Sequence, residues 1–438
     1  MCAQVMMDFR QFFFCFCLLV SFNSLFSQDD YVNDRRLRYE DWIYLPNIKT
    51  VQLHESSFES NPAILPLNST EQLELSFDDL DADKKDYAIS FVHCNANWEP
   101  SDLVHSEYMN GFFEANILNF AYSVNTIQKY THYSILFPQA NMQFTKTGNY
   151  MVYVYEDNDK SKIVLTKRFM IYENKITVLT NLRQAIGNDE QFEKQHIDFT
   201  LINSQYELTN PYSDLKIVIS QNNRWDNIVT AIKPTFVEPR QITYSMNEES
   251  TFNGGNEFRY FDSRSLRTYT ERVNHIYRDS LNISHIELKK DELRIFNQYV
   301  FYNDLNGGYL IRNKDMVGSP ETEADYAWVH FFIPYENTQG TGNFYVLGKL
   351  TEWRLSPTNR MVYNADKKGY ECDLYVKQGY YNYSYVYLTD NKKGGDETMT
   401  EGNHWETEND YVIYVYHRQR GTYYDQLVAV KRFNSSRK

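Results

Sequence analysis

The sequence predicts an all-β protein built from three consecutive antiparallel β-sandwich domains. Apolar and polar residues alternate over most of the chain, whereas the spacing of long amphipathic helices is almost absent. Turn-forming residues separate the alternating segments, as they do between antiparallel strands. Aromatic residues make up 16% of the chain, with 37 tyrosines and 28 phenylalanines, and they favour half-buried sheet faces. A length of 438 residues is enough for roughly three domains of ordinary size.

The N-terminal residues 1–28 are predicted to be a secretory signal peptide. Phe12–Phe26 is an apolar run that is shorter than the roughly 20 residues a membrane-spanning helix needs. Neither Cys15 nor Cys17 follows the small residues that mark a lipoprotein signal. We therefore expect an exported chain that carries no lipid anchor and no further membrane span.

The first sandwich is predicted over residues 29–174. Its turns are marked by the acidic run 78–83, by Gly148 and by the polar run 156–159. Its predicted strands are Ile48–Leu53, Gln72–Phe77, Tyr87–Cys94, Tyr133–Phe137, Tyr150–Tyr155 and Ile163–Ile171.

The same pattern predicts a middle sandwich over residues 175–318 and a C-terminal sandwich over residues 319–438, joined by a polar linker at 318–323. The middle strands are predicted at His196–Ile202, Leu215–Gln221, Gln241–Asn247, Phe258–Phe261, Ser284–Leu288 and Tyr299–Phe301. The C-terminal strands include Ala327–Ile333, Tyr381–Tyr387, Tyr411–Tyr416 and Leu427–Phe433. Tyrosines occupy every second position from 381 to 387, so they share one face of their strand.

Composition and motifs argue against several functions. A net charge of −14 disfavours nucleic acid binding, which needs a basic face. The sequence contains no nucleophile motif, phosphate-binding loop or histidine spacing typical of a metal site, so we expect no enzyme, cofactor or metal. Asp79, Asp81 and Asp83 resemble the start of a calcium loop, but Lys84 stands where that loop needs glycine. Outside the signal only Cys94 and Cys372 remain, and whether they pair is left open.

A glycan-binding or cell-surface accessory protein is the alternative function. The segment 343–364, with Trp353 and the following tyrosine strand, resembles Ig-like and early-set sandwiches of the glycogen-binding type. Leu350, Thr351 and Glu352 replace the portion of that motif that supplies a glucan-holding polar residue. We therefore predict that Trp353 closes a sandwich edge and that the tyrosines pack in the core.

Arginine and tyrosine concentrate in residues 256–269. This mixture is enriched at the centres of protein interfaces, which makes the segment a candidate partner-binding surface. The alternative is an internal network in which the arginines pair with nearby acidic side chains. The candidate partner-binding residues are Arg259, Tyr260, Arg264, Arg267 and Tyr269.

Seven stretches together resemble the type IX secretion system Plug family (DUF5103) of Bacteroidota. They are Asp41–Val51, Leu75–Asp81, Phe91–Trp98, Tyr130–Ser134, Gly148–Tyr150 with Val154–Asp157, Gln221–Asn227 and Asn256–Arg267. The resemblance implies a non-enzymatic periplasmic subunit at the inner face of the outer membrane. It further implies that this subunit binds a very large SprA-type translocon barrel and closes its periplasmic opening when no substrate is engaged.

Overall fold

The computed structural model describes residues 35–187, 190–336, 342–389 and 394–436, so the predicted signal peptide lies outside the described residues. Strands dominate this part of the chain, and its helices are single turns, which confirms the all-β prediction. None of the described helices is long and apolar enough to cross a membrane. The α-helical turns are α1 (His105–Tyr108), α2 (Glu190–Glu193), α3 (Pro211–Asp214), α4 (Pro320–Glu323) and α5 (Thr398–Glu401). The 3-10 turns are Glu248–Ser250, Lys349–Thr351 and Pro357–Asn359.

The first sandwich packs two mainly antiparallel sheets around an aromatic core that includes Phe77, Phe91, Tyr133 and Phe169. One sheet has the order β1-β12-β11-β5-β7, with β3 parallel to β12, and the other has the order β2-β4-β9-β8. A short β6–β10 pair lies beside them. The strands are β1 (Trp42–Ile43), β2 (Ile48–Glu55), β3 (Ile64–Pro66), β4 (Leu73–Asp79), β5 (Tyr87–Cys94), β6 (Met109–Gly111), β7 (Glu114–Asn116), β8 (Asn119–Tyr122), β9 (Thr131–Phe137), β10 (Met142–Phe144), β11 (Gly148–Glu156) and β12 (Ile163–Tyr172).

The second sandwich begins with a sheet of order β13-β14-β17-β16, with β18 also paired to β14. Phe199 and Tyr244 stack in its core at a centroid distance of 4.4 Å. The strands are β13 (Thr177–Gln184), β14 (Lys194–Ile202), β15 (Leu215–Gln221), β16 (Phe236–Glu238), β17 (Gln241–Tyr244) and β18 (Thr251–Asn253).

The third sandwich is built around the long tyrosine strand β27, whose four alternating tyrosines from 381 to 387 are buried in the core as predicted. This strand pairs with β19, β22 and β24, and the sheet that it forms faces the sheet β20-β21-β23-β26-β25. The strands are β19 (Arg259–Asp262), β20 (Val273–Arg278), β21 (Ser284–Leu288), β22 (Tyr309–Ile311), β23 (Tyr326–Pro334), β24 (Gly342–Leu347), β25 (Val362–Asn364), β26 (Gly369–Lys377) and β27 (Gly379–Thr389).

The last two strands, β28 (Asp410–His417) and β29 (Gln426–Asn434), return to the second sandwich, where β28 pairs with β15. The pairing of strands therefore crosses the boundary predicted at residue 318 in both directions. The order of the predicted strands along the chain does not reveal which strands pair. For example, β21 and β23 pair in parallel although they come from separate segments of the sequence. We propose a division by sheet membership, with residues 177–253 and 410–434 in the second sandwich and residues 259–389 in the third.

The sandwiches contact one another through buried side chains. Trp98 and Met151 of the first sandwich form one apolar cluster with Tyr414, Tyr416 and Leu427 of the second. A cavity of about 610 Å³ lies at the junction and is lined by residues of all three sandwiches. Cys94 and Cys372 are both buried and unpaired.

Candidate docking surface

Arg259, the first of the predicted partner-binding residues, lies inside the third sandwich. Its side chain is 7% exposed and bonds two buried carboxylates, with Nη1 3.0 Å from Asp291 Oδ1 and Nε 3.0 Å from Glu401 Oε1. Its Nη2 also donates to the carbonyl oxygen of Glu292 at 2.7 Å. For Arg259 the prediction of an accessible partner contact is therefore wrong, and the internal network is what the structure shows.

This internal network joins five charged groups. Arg294 Nη2 lies 2.5 Å from Glu401 Oε2, and Arg272 Nη2 lies 2.6 Å from Asp291 Oδ1. Burial opposes ionisation of Glu401, but Arg259 and Arg294 outweigh burial and hold its pKa below the ordinary range. The network fixes α5 and the segment 291–294 against β27, because Glu401 accepts from the Tyr385 amide and Asp291 accepts from the Tyr383 hydroxyl.

Tyr260 and Arg264 are only partly accessible. The Tyr260 hydroxyl donates to Glu271 at 2.7 Å, and its ring stacks on Tyr380 at 5.6 Å. Burial together with Glu271 raises the pKa of Tyr260 to about 12. Arg264 forms a two-point bond to Asp262 with distances of 2.8 and 2.6 Å, and its guanidinium lies 5.7 Å from the Tyr380 ring centre. Both side chains are held by neighbours on the surface rather than extended into solvent.

Arg267 and Tyr269 are exposed, and Tyr269, which is 61% exposed, lies edge-on at one end of a row of stacked rings. Its hydroxyl lies 3.1 Å from His275 Nδ1, and His275 stacks on Tyr277 at 5.7 Å. The row continues across the sheet, with centroid distances of 4.8 Å from Tyr277 to His285 and 5.1 Å from His285 to His330. We call these five residues the aromatic–histidine stripe: Tyr269, His275, Tyr277, His285 and His330.

His285 and His330, the last two members of the stripe, are held between the carboxylates of Asp279 and Asp373. His330 Nδ1 lies 2.7 Å from Asp373 Oδ1, and the hydrogen bond from this imidazole holds the pKa of Asp373 below its usual range. His285 Nδ1 lies 2.9 Å from His330 Nε2, and His285 Nε2 lies 3.3 Å from Asp279 Oδ2. Three N–H groups are needed to satisfy these three contacts, although two neutral imidazoles carry only two. These three contacts fix the orientation of both imidazole rings on the sheet.

The exposed rings of Tyr269 and Tyr277 offer aromatic area to a partner, and the exposed Arg267 guanidinium can donate hydrogen bonds. Such groups dominate the centres of protein interfaces. The sequence analysis missed four members of the stripe. The alternation of His275 and Tyr277 within β20 was the available signal, whereas the approach of His285 to His330 depends on the pairing of β21 with β23.

A second exposed apolar area lies on the first sandwich. Phe112 is 63% exposed and Leu118 is 82% exposed, and both line a groove of about 670 Å³ together with Leu136. The groove lies beside β7 and β8, which end their respective sheets. This groove is therefore the alternative docking face against which the stripe has to be tested.

Trp353 does not form an open platform for a sugar. Its ring packs edge-on against Phe258 at 5.8 Å, and the Arg224 guanidinium lies 4.4 Å from its centre. A Cβ at Gly307, where φ is +78°, would lie 2.2 Å from the Trp353 ring, so only glycine fits beneath it. The tryptophan and the buried tyrosines therefore serve packing, as predicted for a sandwich edge and core.

Comparisons with known proteins agree with this architecture. Residues 48–173, which hold β2 to β12, match the family model described as type 9 secretion system plug protein 1st domain. A crystal structure of a hypothetical protein from Parabacteroides merdae ATCC 43184 matches with a TM-score of 0.87 and 33% identity. That match covers 91% of this chain and 100% of the other. Comparison with curated proteins gives no match. The chain therefore belongs to the type 9 secretion system plug protein family.

Proposed function

We propose that the chain is the periplasmic plug of a type 9 secretion channel. In this role it binds the large SprA-type translocon barrel of the outer membrane and closes the periplasmic opening when no substrate is engaged. The observation that carries the proposal is the match of the first sandwich to the plug domain model. Plug proteins are components of the secretion machinery and are not a known enzyme family. We therefore propose a role in closure and none in catalysis.

A plug that closes a pore must keep its domains fixed relative to one another, and the buried contacts between the sandwiches suit that role. The first and second sandwiches share the buried cluster of Trp98, Tyr414 and Tyr416. The first and third share a buried ion pair in which Lys377 Nζ lies 2.6 Å from Asp78 Oδ2. Such contacts oppose sliding of one sandwich over another, because separating them exposes apolar area and leaves two charges unpaired.

We place the docking face on the exposed part of residues 256–269 together with the aromatic–histidine stripe. The whole chain carries a charge of −14, so attraction to a neutral or acidic rim has to come from a local cationic area. Arg267 and Tyr269 supply exposed charge and ring area, while Tyr260 and Arg264 form its better-packed border. Arg259 takes no part because it is buried.

The test is co-purification of tagged protein with the translocon from solubilised outer membranes of the parent bacterium. We expect Arg267→Glu combined with Tyr269→Ala to leave a folded, exported protein that no longer co-purifies. Losing one central contact of this kind costs roughly 2 kcal/mol or more, or about thirtyfold in affinity. The matched control is Arg240→Glu with Tyr423→Ala, which makes the same chemical changes at two exposed positions elsewhere.

The possible results separate the function from the face. Loss of co-purification in the stripe variant but not in the control supports both. If co-purification is lost only when Phe112 and Leu118 are replaced by serine, the docking face lies at the groove of the first sandwich. If the wild-type protein itself recovers no channel protein under any extraction condition, the proposed plug function is contradicted.

A further inference from the structure

Three carboxylates from distant parts of the chain meet where the second and third sandwiches join. Glu257 lies just before β19, Asp304 lies in the loop before β22, and Glu408 lies just before β28. One oxygen of each lies within 4.8 Å of the other two. We call this group the junction carboxylates.

Glu257 carries an unsatisfied oxygen inside the protein. The residue is 0% exposed. Its Oε1 accepts hydrogen bonds from the Tyr299 hydroxyl at 2.5 Å and from the Glu408 amide at 3.1 Å. Its Oε2 is buried and has no hydrogen-bond partner among the described residues. Leaving a buried charged oxygen without a donor or cation is costly, so this atom indicates a missing partner.

Asp304 is held in place by backbone amides. The N–H of Phe258 donates to its Oδ2 at 2.5 Å, and the N–H of Asn306 donates to its Oδ1 at 2.7 Å. Arg294 donates its side-chain hydrogen bonds to Glu401, to the Tyr302 hydroxyl and to the Glu257 carbonyl oxygen.

The junction cavity gives solvent a route to the group. Asp304, Asn306 and Glu408 all line this cavity of about 610 Å³. Asn306, whose backbone N–H donates to Asp304, also has a buried side-chain Oδ1 with no hydrogen-bond partner among the described residues. Carboxylate and amide oxygens are the ligands that hard divalent cations prefer, whereas zinc and copper sites draw on nitrogen or sulfur.

We propose that the junction carboxylates bind one divalent cation, with Ca²⁺ the best fit. Ca²⁺ holds oxygens at about 2.3–2.6 Å, so two ligands on opposite sides of the ion stand roughly 5 Å apart. The observed spacing of no more than 4.8 Å is short enough for all three carboxylates to reach one such ion. Water from the cavity would complete the coordination.

Binding at this point would tie together three segments that belong to two sandwiches. The ion would fix the start of β19 and the loop of Asp304 in the third sandwich against the start of β28 in the second. A ligand that binds only the folded state raises its stability in proportion to the logarithm of ligand concentration. We therefore expect Ca²⁺ to stabilise this junction without altering the docking face.

The experiment uses the purified full chain after removal of metal with EDTA. Titration calorimetry with CaCl₂ should show one ion per chain, and the melting temperature should rise by several degrees in 5 mM CaCl₂ and by less in MgCl₂. Glu257→Gln and Asp304→Asn should each abolish the Ca²⁺-dependent rise. Asp81→Asn, in the exposed acidic turn of the first sandwich, is the matched control and should leave it intact. Terbium emission excited through aromatic residues gives a second measure of occupancy for any variant with altered stability.

Two results would overturn the inference. If Asp304→Asn binds Ca²⁺ as the wild type does, the ion binds elsewhere. If no ion binds to the wild type, the inference is wrong, and a higher melting temperature of Glu257→Gln in EDTA would then show that the carboxylates share protons instead of a cation.

Discussion

The buried pair of Asp78 and Lys377 allows a quantitative test of how the first and third sandwiches hold together. Their side chains are 0% and 1% exposed, and the charged atoms lie 2.6 Å apart. Asp78 also accepts from the Tyr326 hydroxyl at 2.6 Å and contacts His132 Nδ1 at 2.7 Å. Burial opposes ionisation of Asp78, but Lys377 and His132 outweigh burial and hold its pKa below the ordinary range.

The distance sets the scale of the effect. With an effective dielectric constant of about 20, two unit charges 2.6 Å apart attract by about 6 kcal/mol. Desolvation offsets much of that attraction, but removing one partner leaves the other buried and uncompensated, at a cost of about 3–5 kcal/mol. We therefore expect Lys377→Met and Asp78→Asn each to destabilise the protein by about 3–5 kcal/mol. The double variant should fall short of the sum by at least about 2 kcal/mol.

The assay is urea unfolding combined with hydrogen exchange. Exchange of the Ile127 and Gln128 amides reports on the same interface, because both donate to Asp325, at 2.7 and 3.0 Å. These amides should exchange faster in either single variant. The control is Lys160→Met, which breaks a surface pair with Glu114 at 2.8 Å and should cost no more than about 1 kcal/mol after screening. A Lys377→Met protein as stable as this control would refute the reasoning.

Three further predictions concern other parts of the fold. Burial lowers the pKa of His93 to about 4. Between about pH 6.5 and pH 4 this imidazole is therefore protonated in the unfolded chain but not in the folded chain. The free energy of unfolding is therefore highest above pH 6.5, where His93 is neutral in both states. It falls by about 3 kcal/mol as the pH falls towards 4. A His93→Gln variant that keeps the full pH dependence of unfolding would contradict this. Burial raises the pKa of Cys94 and Cys372 to about 12, so a maleimide at pH 7 should label them only after unfolding, and rapid labelling of folded protein would count against the packing. Trp353→Ala should cost about 3 kcal/mol of stability without a change in glucan binding, whereas loss of glucan affinity at unchanged stability would favour the glycan alternative.

The strands with a clear local apolar pattern could be predicted from the sequence. Tyr87–Cys94, Leu215–Gln221 and Ser284–Leu288 have the predicted bounds. Short edge strands such as Glu114–Asn116 were missed because three residues carry too little periodicity. Tyr299–Phe301 was wrongly predicted as a strand; it is a loop in which Val300 and Phe301 are exposed.

The candidate site shows why side-chain direction is harder to predict than strand position. Arg259 and Phe261 are two residues apart in β19, so they share the buried face, while Tyr260 and Asp262 point the other way. The apolar Phe261 was the signal that Arg259 points inward. Its buried partners Asp291 and Glu401 are 32 and 142 residues away, and no local pattern brings them together.

Channel conductance tests the central claim most directly. Translocon barrels purified from cells lacking the chain and placed in a planar bilayer should conduct ions. We predict that purified chain added on the periplasmic side closes them, and that Arg267→Glu with Tyr269→Ala closes them only at a concentration about thirtyfold higher or more. An open conductance that saturating wild-type chain leaves unchanged would contradict the claim that this protein plugs the channel.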